Sequence, residues 1–298
     1  MRDWFAYIPF RIAARIFGIL PEGVVRRLGI AAGNIASKKS SSKRPLLASH
    51  MRRVLGPDAA DADVQAAVDG MFRSYGRYWA ETFWFSPRRF DVINASVDRI
   101  HFGPVFEAQE AGRGIVFALP HVGNWEIAGV IAEDLGLNLM AVAEELPNRK
   151  ITEWFLDVRA GFGIEIVLTS DPARRSKMVK HLKGGGALAL LSDRDVTGKG
   201  IQVKFFGEET SVPAGPTALA ELTDSALLPV VVYFKKGAGY RIEVGDAIEV
   251  PEGGTRAERV KVGAQKVASA LETQIRKDPS QWHLFQPNWP SDGAAELS

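Results

Sequence analysis

A histidine with a carboxylate close by is the commonest device for moving a proton near neutral pH, because a free imidazole ordinarily changes charge near pH 6.5. Residues 119–129, LPHVGNWEIAG, offer such a pair: His121 follows an apolar run and Glu126 comes five residues later. Three readings open: an acid–base pair, a metal site, or a polar turn between a strand and a helix. If GIVFALP (114–120) is a strand, His121 stands at its carboxyl end, the rim at which open parallel sheets bind ligands. Asn124 is then a candidate N-cap and substrate contact, and Glu126 falls in the first helical turn, where its charge suits the helix dipole. From there a carboxylate can accept from one imidazole nitrogen and leave the other as a base, the orienting role of the acid in a hydrolase triad. No G-x-S-x-G elbow places a serine to carry an acyl group. The direct chemistry is removal of a proton from a bound hydroxyl, which then attacks an activated carbonyl. For metal, H-E-x-x-H is missing, cysteine is absent, and His50, His101, His181 and His283 stand at no ligand spacing around this stretch. On this stretch alone a strand-end histidine beside a capping glutamate remains open.

A second stretch, LLSDRDVTGKG, begins at another candidate strand end and delivers Asp193, Arg194 and Asp195 to the same rim. An acid there is a further partner for the imidazole, and Arg194 can hold a phosphate or a carbonyl oxygen. VPAGP (212–216) precedes a helix and offers backbone N–H groups to an anion. The alternative is a salt-bridged Asp–Arg loop. KGGG (183–186) reads as a turn, since the Walker pattern is missing. His283, inside QWHLFQPNWP, reads as a structural histidine in an aromatic cluster.

The elements that must position these residues alternate. After GIVFALP come a helix near Trp125–Leu135, a strand at 137–143, a helix at 148–163, and apolar strands at 164–169, 187–192 and 227–234. Unbroken apolar strands between helices predict an α/β fold with a mostly parallel central sheet flanked by helices. YRIEVGDAIEV (240–250) alternates more and suits an edge strand, and 257–277 suits a last helix. Upstream, Val64, Val68, Met71, Tyr75 and Tyr78 recur at helical spacing, with Pro87 ending that helix. The chain has 298 residues and 46% hydrophobic content, enough for a sizeable core, and reads as a single domain over 1–298.

Net charge is +2, but residues 1–53 hold eleven Lys/Arg against two acids, an excess of nine that leaves −7 for the remainder. WFAYIPFRIAARIFGIL (4–20) is apolar and aromatic (Trp4, Phe5, Tyr7, Phe10, Phe17), with Arg11 and Arg15 one turn apart. Its length is at the lower limit for a span, and Pro9 and the arginines argue against one. It lacks the small-residue cleavage site of a secretory signal. We read 1–53 as a basic, amphipathic, helical segment that contacts an anionic membrane, with SKKSSSKRP (37–45) as a solvated basic loop. A buried helix with a floppy loop is the alternative. Nucleic acid is not expected, because no aromatic-interleaved basic motif appears.

Together these residues resemble the bacterial lysophospholipid/lipid A acyltransferase superfamily, whose signature is H-x-x-x-x-D/E. PHVGNWE resembles its first block, NRKITEWFLDVRAGFGIEIV its arginine block, and SDRDVTGKGIQVKFFGEETSVPAGPTALAELTDS its V-x-F-F-G block, in order over roughly 100–290. LSDRD and the ending DPSQWHLFQPNWP look most like the actinobacterial phosphatidylinositol mannoside acyltransferases. The resemblance implies transfer of a fatty acyl chain, typically palmitoyl, from acyl-CoA to a mannose hydroxyl of that glycolipid, with no acyl-enzyme and no metal or redox cofactor. It implies His121 as general base, Glu126 as the acid of the motif, Asp195 completing a charge relay, and Arg159 near acceptor or carbonyl. It implies a peripheral protein on the cytoplasmic side of the cell membrane. Lys204 departs from the family, standing where the lipid A enzymes often have proline. Acylation from an acyl carrier protein, thioester hydrolysis, and a lipid-binding scaffold are the competing functions.

Overall fold

The structure, a computed structural model, describes residues 2–295, with side chains over 7–293. The side chains of Trp4 and Phe5 lie outside the described residues. In chain order the elements are α1 (Arg2–Ile19), α2 (Glu22–Lys39), α3 (Arg44–Leu55), α4 (Asp61–Trp84), α5 (Phe90–Ala95), β1 (Val97–Ile100) and α6 (Gly103–Glu110). The central part follows: β2 (Ile115–Leu119), α7 (Glu126–Asp134), β3 (Leu139–Ala143), α8 (Arg149–Ala160), β4 (Glu165–Leu168), α9 (Arg174–Lys183) and β5 (Ala187–Leu191). Then come β6 (Ile201–Phe205), β7 (Glu208–Val212), α10 (Gly215–Thr223), β8 (Ala226–Phe234), β9 (Tyr240–Val244), α11 (Arg256–Lys277) and α12 (Asp292–Ala295).

Seven strands form one sheet in the order β1-β9-β8-β2-β5-β3-β4, parallel throughout except between β8 and β9. The expected mostly parallel sheet with flanking helices is present. Burial alternates along the strands by face, as a period of two requires. Val116, Ala118, Leu188 and Val231 join a core on one face, and Ile115, Leu119, Leu228 and Val230 a core on the other. From β2 the chain crosses by α7 to β3 on one side, and from β5 it returns by α10 to β8 on the other. Neighbouring strands whose connections leave in opposite directions open a crevice at their carboxyl ends, the topological switch point of such sheets.

Three expectations are corrected. The 240–250 strand is not an edge, because β1, a short exposed strand without an apolar pattern, covers it. SKKSSSKRP is not a free loop: Ser37 to Lys39 end α2, Ser41 to Lys43 form a 3-10 turn, and Arg44 begins α3 while bonding Ser37 and Asp69. The α4 helix stops at Trp84, ahead of Pro87, which opens a 3-10 turn.

The amino-terminal helices pack on the body. Gly29 and Gly33 of α2 lie against the α4 backbone, where a Cβ at Gly33 would stand 2.2 Å from the Phe72 carbonyl oxygen. In α1, Phe10 turns inward onto Phe83 at 4.9 Å and Trp154 at 5.0 Å. The opposite face leaves Ile8, Ile12 and Ile16 half-exposed and Ile19 82% exposed, beside exposed Arg11 and Arg15. Among the described residues no helix is long and apolar enough to cross a membrane.

Candidate active site

The β2–β5 register brings the site together. Leu119 pairs with Leu191, so His121 and Asp193 each stand two residues beyond aligned strand ends. His121 Nδ1 lies 2.6 Å from Asp193 Oδ1, and the His121 backbone N–H donates to Oδ2 at 3.0 Å. A third donor comes from the carboxyl-terminal segment, where the Trp282 indole N–H reaches Oδ2 at 2.7 Å. The Asp193 and Trp282 side chains are wholly buried. Burial alone would raise the Asp193 carboxyl, but the His121 charge and these donors outweigh it and hold the group below its ordinary value. An ionised carboxylate only accepts, so Nδ1 carries a proton, and in the neutral form of the ring the lone pair is on Nε2. The ring lines a cavity of about 680 Å³.

The local sequence explains the turn. Gly123 has φ +58°, and a Cβ there would stand 2.1 Å from the Val232 carbonyl oxygen, so only glycine fits. Its N–H donates to the Gln281 carbonyl, and the His283 N–H donates to the His121 carbonyl at 2.7 Å. Residues 281–283 thus fasten the His121 loop from behind. Beyond them, Asn288 donates to the Asp193 carbonyl at 3.3 Å, and buried Asp292 binds His50 Nε2 at 2.9 Å and Arg53 at 3.0 Å.

The acids fall out differently from the sequence reading. Asp195 is not the partner of His121: its carboxylate accepts from the Thr197 N–H and hydroxyl, the Gly200 N–H and Ser211, and so closes its own loop at the cavity wall. Two residues past Asp193, it has left the strand register. Glu126 does not orient the imidazole either. Its two oxygens take the forked guanidinium of Arg159 at 2.7 and 2.9 Å, with the Tyr78 hydroxyl at 3.4 Å. Burial alone would lower Arg159, but the Glu126 charge more than reverses that and its pKa is raised. Both residues line the cavity beside His121. Asn124 is fully buried, caps Glu126 N–H at 3.3 Å through its side-chain oxygen, and does not line the cavity. Arg194 does line it, with Glu144 at 3.7 Å.

His283 is buried among Tyr75, Tyr78 and Trp125, with Nε2 2.8 Å from the Ser74 hydroxyl. Burial, and secondarily the His121 charge, push its imidazole down to about 3, so it is neutral. Tyr78, Trp79, Leu146, Phe155 and Leu190 make much of the cavity wall apolar. Behind Leu119 and Leu139 lies a second, wholly apolar void of about 30 Å³. Among the described residues no three His, Asp or Glu side chains converge as a metal site. Sequence reasoning missed Trp282, Tyr78 and Asn288, which reach the site from elements remote in the chain.

A sheet-rim imidazole backed by a buried carboxylate thus faces a large, mostly apolar cavity. Residues 1–291 match the model of the bacterial lipid A biosynthesis acyltransferase family, and the chain belongs to that family. It is 31% identical over 281 residues to a phosphatidylinositol mannoside acyltransferase of Mycolicibacterium smegmatis, covering 93% of this chain and 89% of that protein. It is 32% identical over 295 residues to the protein of the same name from Mycobacterium tuberculosis, covering 97% and 89%.

Proposed function

We propose that this chain transfers a fatty acyl group, palmitoyl in the first instance, from acyl-CoA to a mannose hydroxyl of a phosphatidylinositol mannoside. The observation that carries the reading is the His121 imidazole, its Nδ1 fixed by buried Asp193 and its ring facing a largely apolar cavity. Family membership and the names of the relatives point to the same chemistry.

His121 Nε2 takes the proton of the sugar hydroxyl as its oxygen attacks the thioester carbonyl. The carbon–sulfur bond then breaks, and the imidazolium returns the proton to the leaving thiolate. Asp193 stabilises the imidazolium between these steps without becoming protonated. The Glu126–Arg159 pair is charge-balanced and offers sugar hydroxyls both donors and acceptors. The step as written calls on no metal or redox cofactor. The α1 isoleucine ridge, flanked by Arg11 and Arg15, supports seating of the chain on the anionic cytoplasmic face of the cell membrane, where both lipid substrates reside.

The test is mass spectrometry of products from purified protein, palmitoyl-CoA and a glycolipid extract containing phosphatidylinositol mannosides. We expect one added palmitoyl ester, lost in His121→Ala. Transfer only from an acyl carrier protein, free fatty acid made without acceptor, or bound lipid without turnover would each overturn the reading in favour of its corresponding competitor.

A further inference from the structure

The proposed donor carries its charge far from its thioester, and cations line the same cavity as His121. α9 contains Arg174, Arg175, Lys177, Lys180 and Lys183 within ten residues and no acid. Arg174 and Met178, one turn apart, line the same cavity as His121. So do Arg194 and Lys199, on the loop that follows β5. These three cations are weakly engaged. Arg194 has Glu144 only at 3.7 Å, the Arg174 guanidinium reaches only the Asp171 carbonyl at 3.5 Å, and Lys199 forms no ion pair among the described residues. Elsewhere Arg53, Arg77 and Arg159 hold carboxylates within 3.0 Å. Asp171, the acid nearest Arg174, is taken up by Lys177 at 2.7 Å and by the Ala173 N–H at 2.8 Å.

Topology sets the distance. α9 follows β4, and the order β2-β5-β3-β4 puts three strand spacings between the His121 strand and β4. At about 4.8 Å each, that is about 14 Å. Between the sulfur of a CoA thioester and its first phosphorus lie about 13 bonds, and an extended chain covers about 3.5 Å per three bonds, giving a reach of about 15 Å. Arg194, beside Asp193, turns towards Glu144, the residue that follows β3.

We propose that Arg174, Arg194 and Lys199 form a subsite for the phosphates of a CoA-type donor, with the α9 lysines attracting that end over longer range. The proposal rests on the acyl-CoA reading above and adds where the donor's charged end is held. Two segments that follow strand ends contribute these cations to the lining of one cavity without a close carboxylate partner, which distinguishes them from ordinary solvated charges.

Calorimetry on the full chain tests it with CoA and pantetheine as probes, in the absence of acceptor. CoA should bind about tenfold or more tightly than pantetheine at low salt. Arg174→Ala/Arg194→Ala should remove most of that ratio, and Arg174→Glu should do so even where the double variant is less stable. Added 3′,5′-ADP should compete with CoA. Equal binding of the two probes, or an unchanged ratio in the variants, overturns the subsite. A loss of affinity confined to an acyl carrier protein also overturns it, in favour of a protein-docking strip. A chain that binds CoA through these residues yet transfers no acyl group sinks the function and leaves the subsite standing. Transfer from acyl-CoA with unchanged KM in the double variant does the reverse.

Discussion

The His121 imidazole and the Asp193 carboxylate meet at 2.6 Å at the carboxyl ends of β2 and β5, neighbouring strands whose connections leave in opposite directions. Their meeting is a consequence of register. With Leu119 opposite Leu191, position two on each loop faces position two on the other. The buried carboxylate fixes the tautomer and ring orientation and also accepts from the His121 backbone N–H, while the loop glycine lets the turn pack against the Val232 carbonyl.

Asp193→Asn should keep the geometry and reverse the hydrogen bond, because an amide presents a donor where Nδ1–H needs an acceptor. We expect kcat to fall by on the order of 10³–10⁴-fold, the size of effect known for the equivalent change in a hydrolase triad. Asp195→Asn, which loosens only its own loop, should cost less than about tenfold in the chemical step. Initial acyl-transfer rates at saturating substrate, with circular dichroism as the control for folding, check both. Equal losses at the two positions would restore Asp195 to the relay.

How much of this was legible in the sequence depends on the kind of contact. Apolar runs and helical periodicity gave β2 to β5, β8 and the helices between them, since burial on both faces imprints itself on local composition. β1 was missed because Val97–Ile100 is mostly exposed, and the β6–β7 hairpin because its strands are short and half polar. At the site, SDRD brings two acids to the rim where His121 stands, and family analogy chose Asp195. That Asp193 rather than Asp195 contacts His121 follows from inter-strand register, which a single strand does not encode. Glu126 and Arg159 were both expected at the site, but their 33-residue separation hid that they bind each other. Trp282, 89 residues from Asp193, left no local signal beyond an aromatic-rich ending.

Trp282→Phe keeps the buried ring and deletes one N–H donor to Asp193. A hydrogen bond to a buried charged group contributes about 1.5–3 kcal/mol, so we expect kcat to fall by roughly 10- to 100-fold with KM within about twofold. A merely structural role would not alter the pH profile. The loss of a donor should raise the Asp193 carboxyl and shift the acid limb of the kcat profile upward. An unchanged profile with lowered thermal stability would show Trp282 to be a packing residue only.

The stability of the chain should fall in mild acid because of His283. Its folded imidazole is pushed down to about 3, first by burial and then by the His121 charge, whereas an unfolded imidazole titrates near 6.5. Between those values the unfolded chain binds more protons, so stability rises with pH and is lost as pH falls from about 6.5 towards 3. Asp193 and Asp292 are also held below their ordinary values, and their contribution is lost on acidification too, but only below about pH 4. Thermal melts between pH 6.5 and 4.5, compared between the parent and a His283 variant, read the histidine's share. His283→Gln, which keeps a polar atom towards Ser74, should flatten the melting temperature across that window by at least about half. Equal slopes in the two proteins would assign the acid sensitivity elsewhere.

Arg159 and Glu126 should behave as a unit whose halves are worse alone than absent together. Arg159→Met leaves the largely buried Glu126 carboxylate with only the distant Tyr78 hydroxyl, and removing one partner of a buried pair costs about 3–5 kcal/mol. Glu126→Gln strands the guanidinium less severely, because an amide oxygen still accepts one of its N–H groups. If the double variant Arg159→Met/Glu126→Gln regains about 1 kcal/mol or more over Arg159→Met, the coupling is direct, as expected for residues in contact. Urea unfolding of the four proteins measures the cycle. Activity separates a second role: if the pair serves only to brace α7 against α8, the double variant recovers turnover along with stability. We expect it to stay slow with a raised KM for the acceptor, because the cavity has lost the donors and acceptors proposed to meet the sugar.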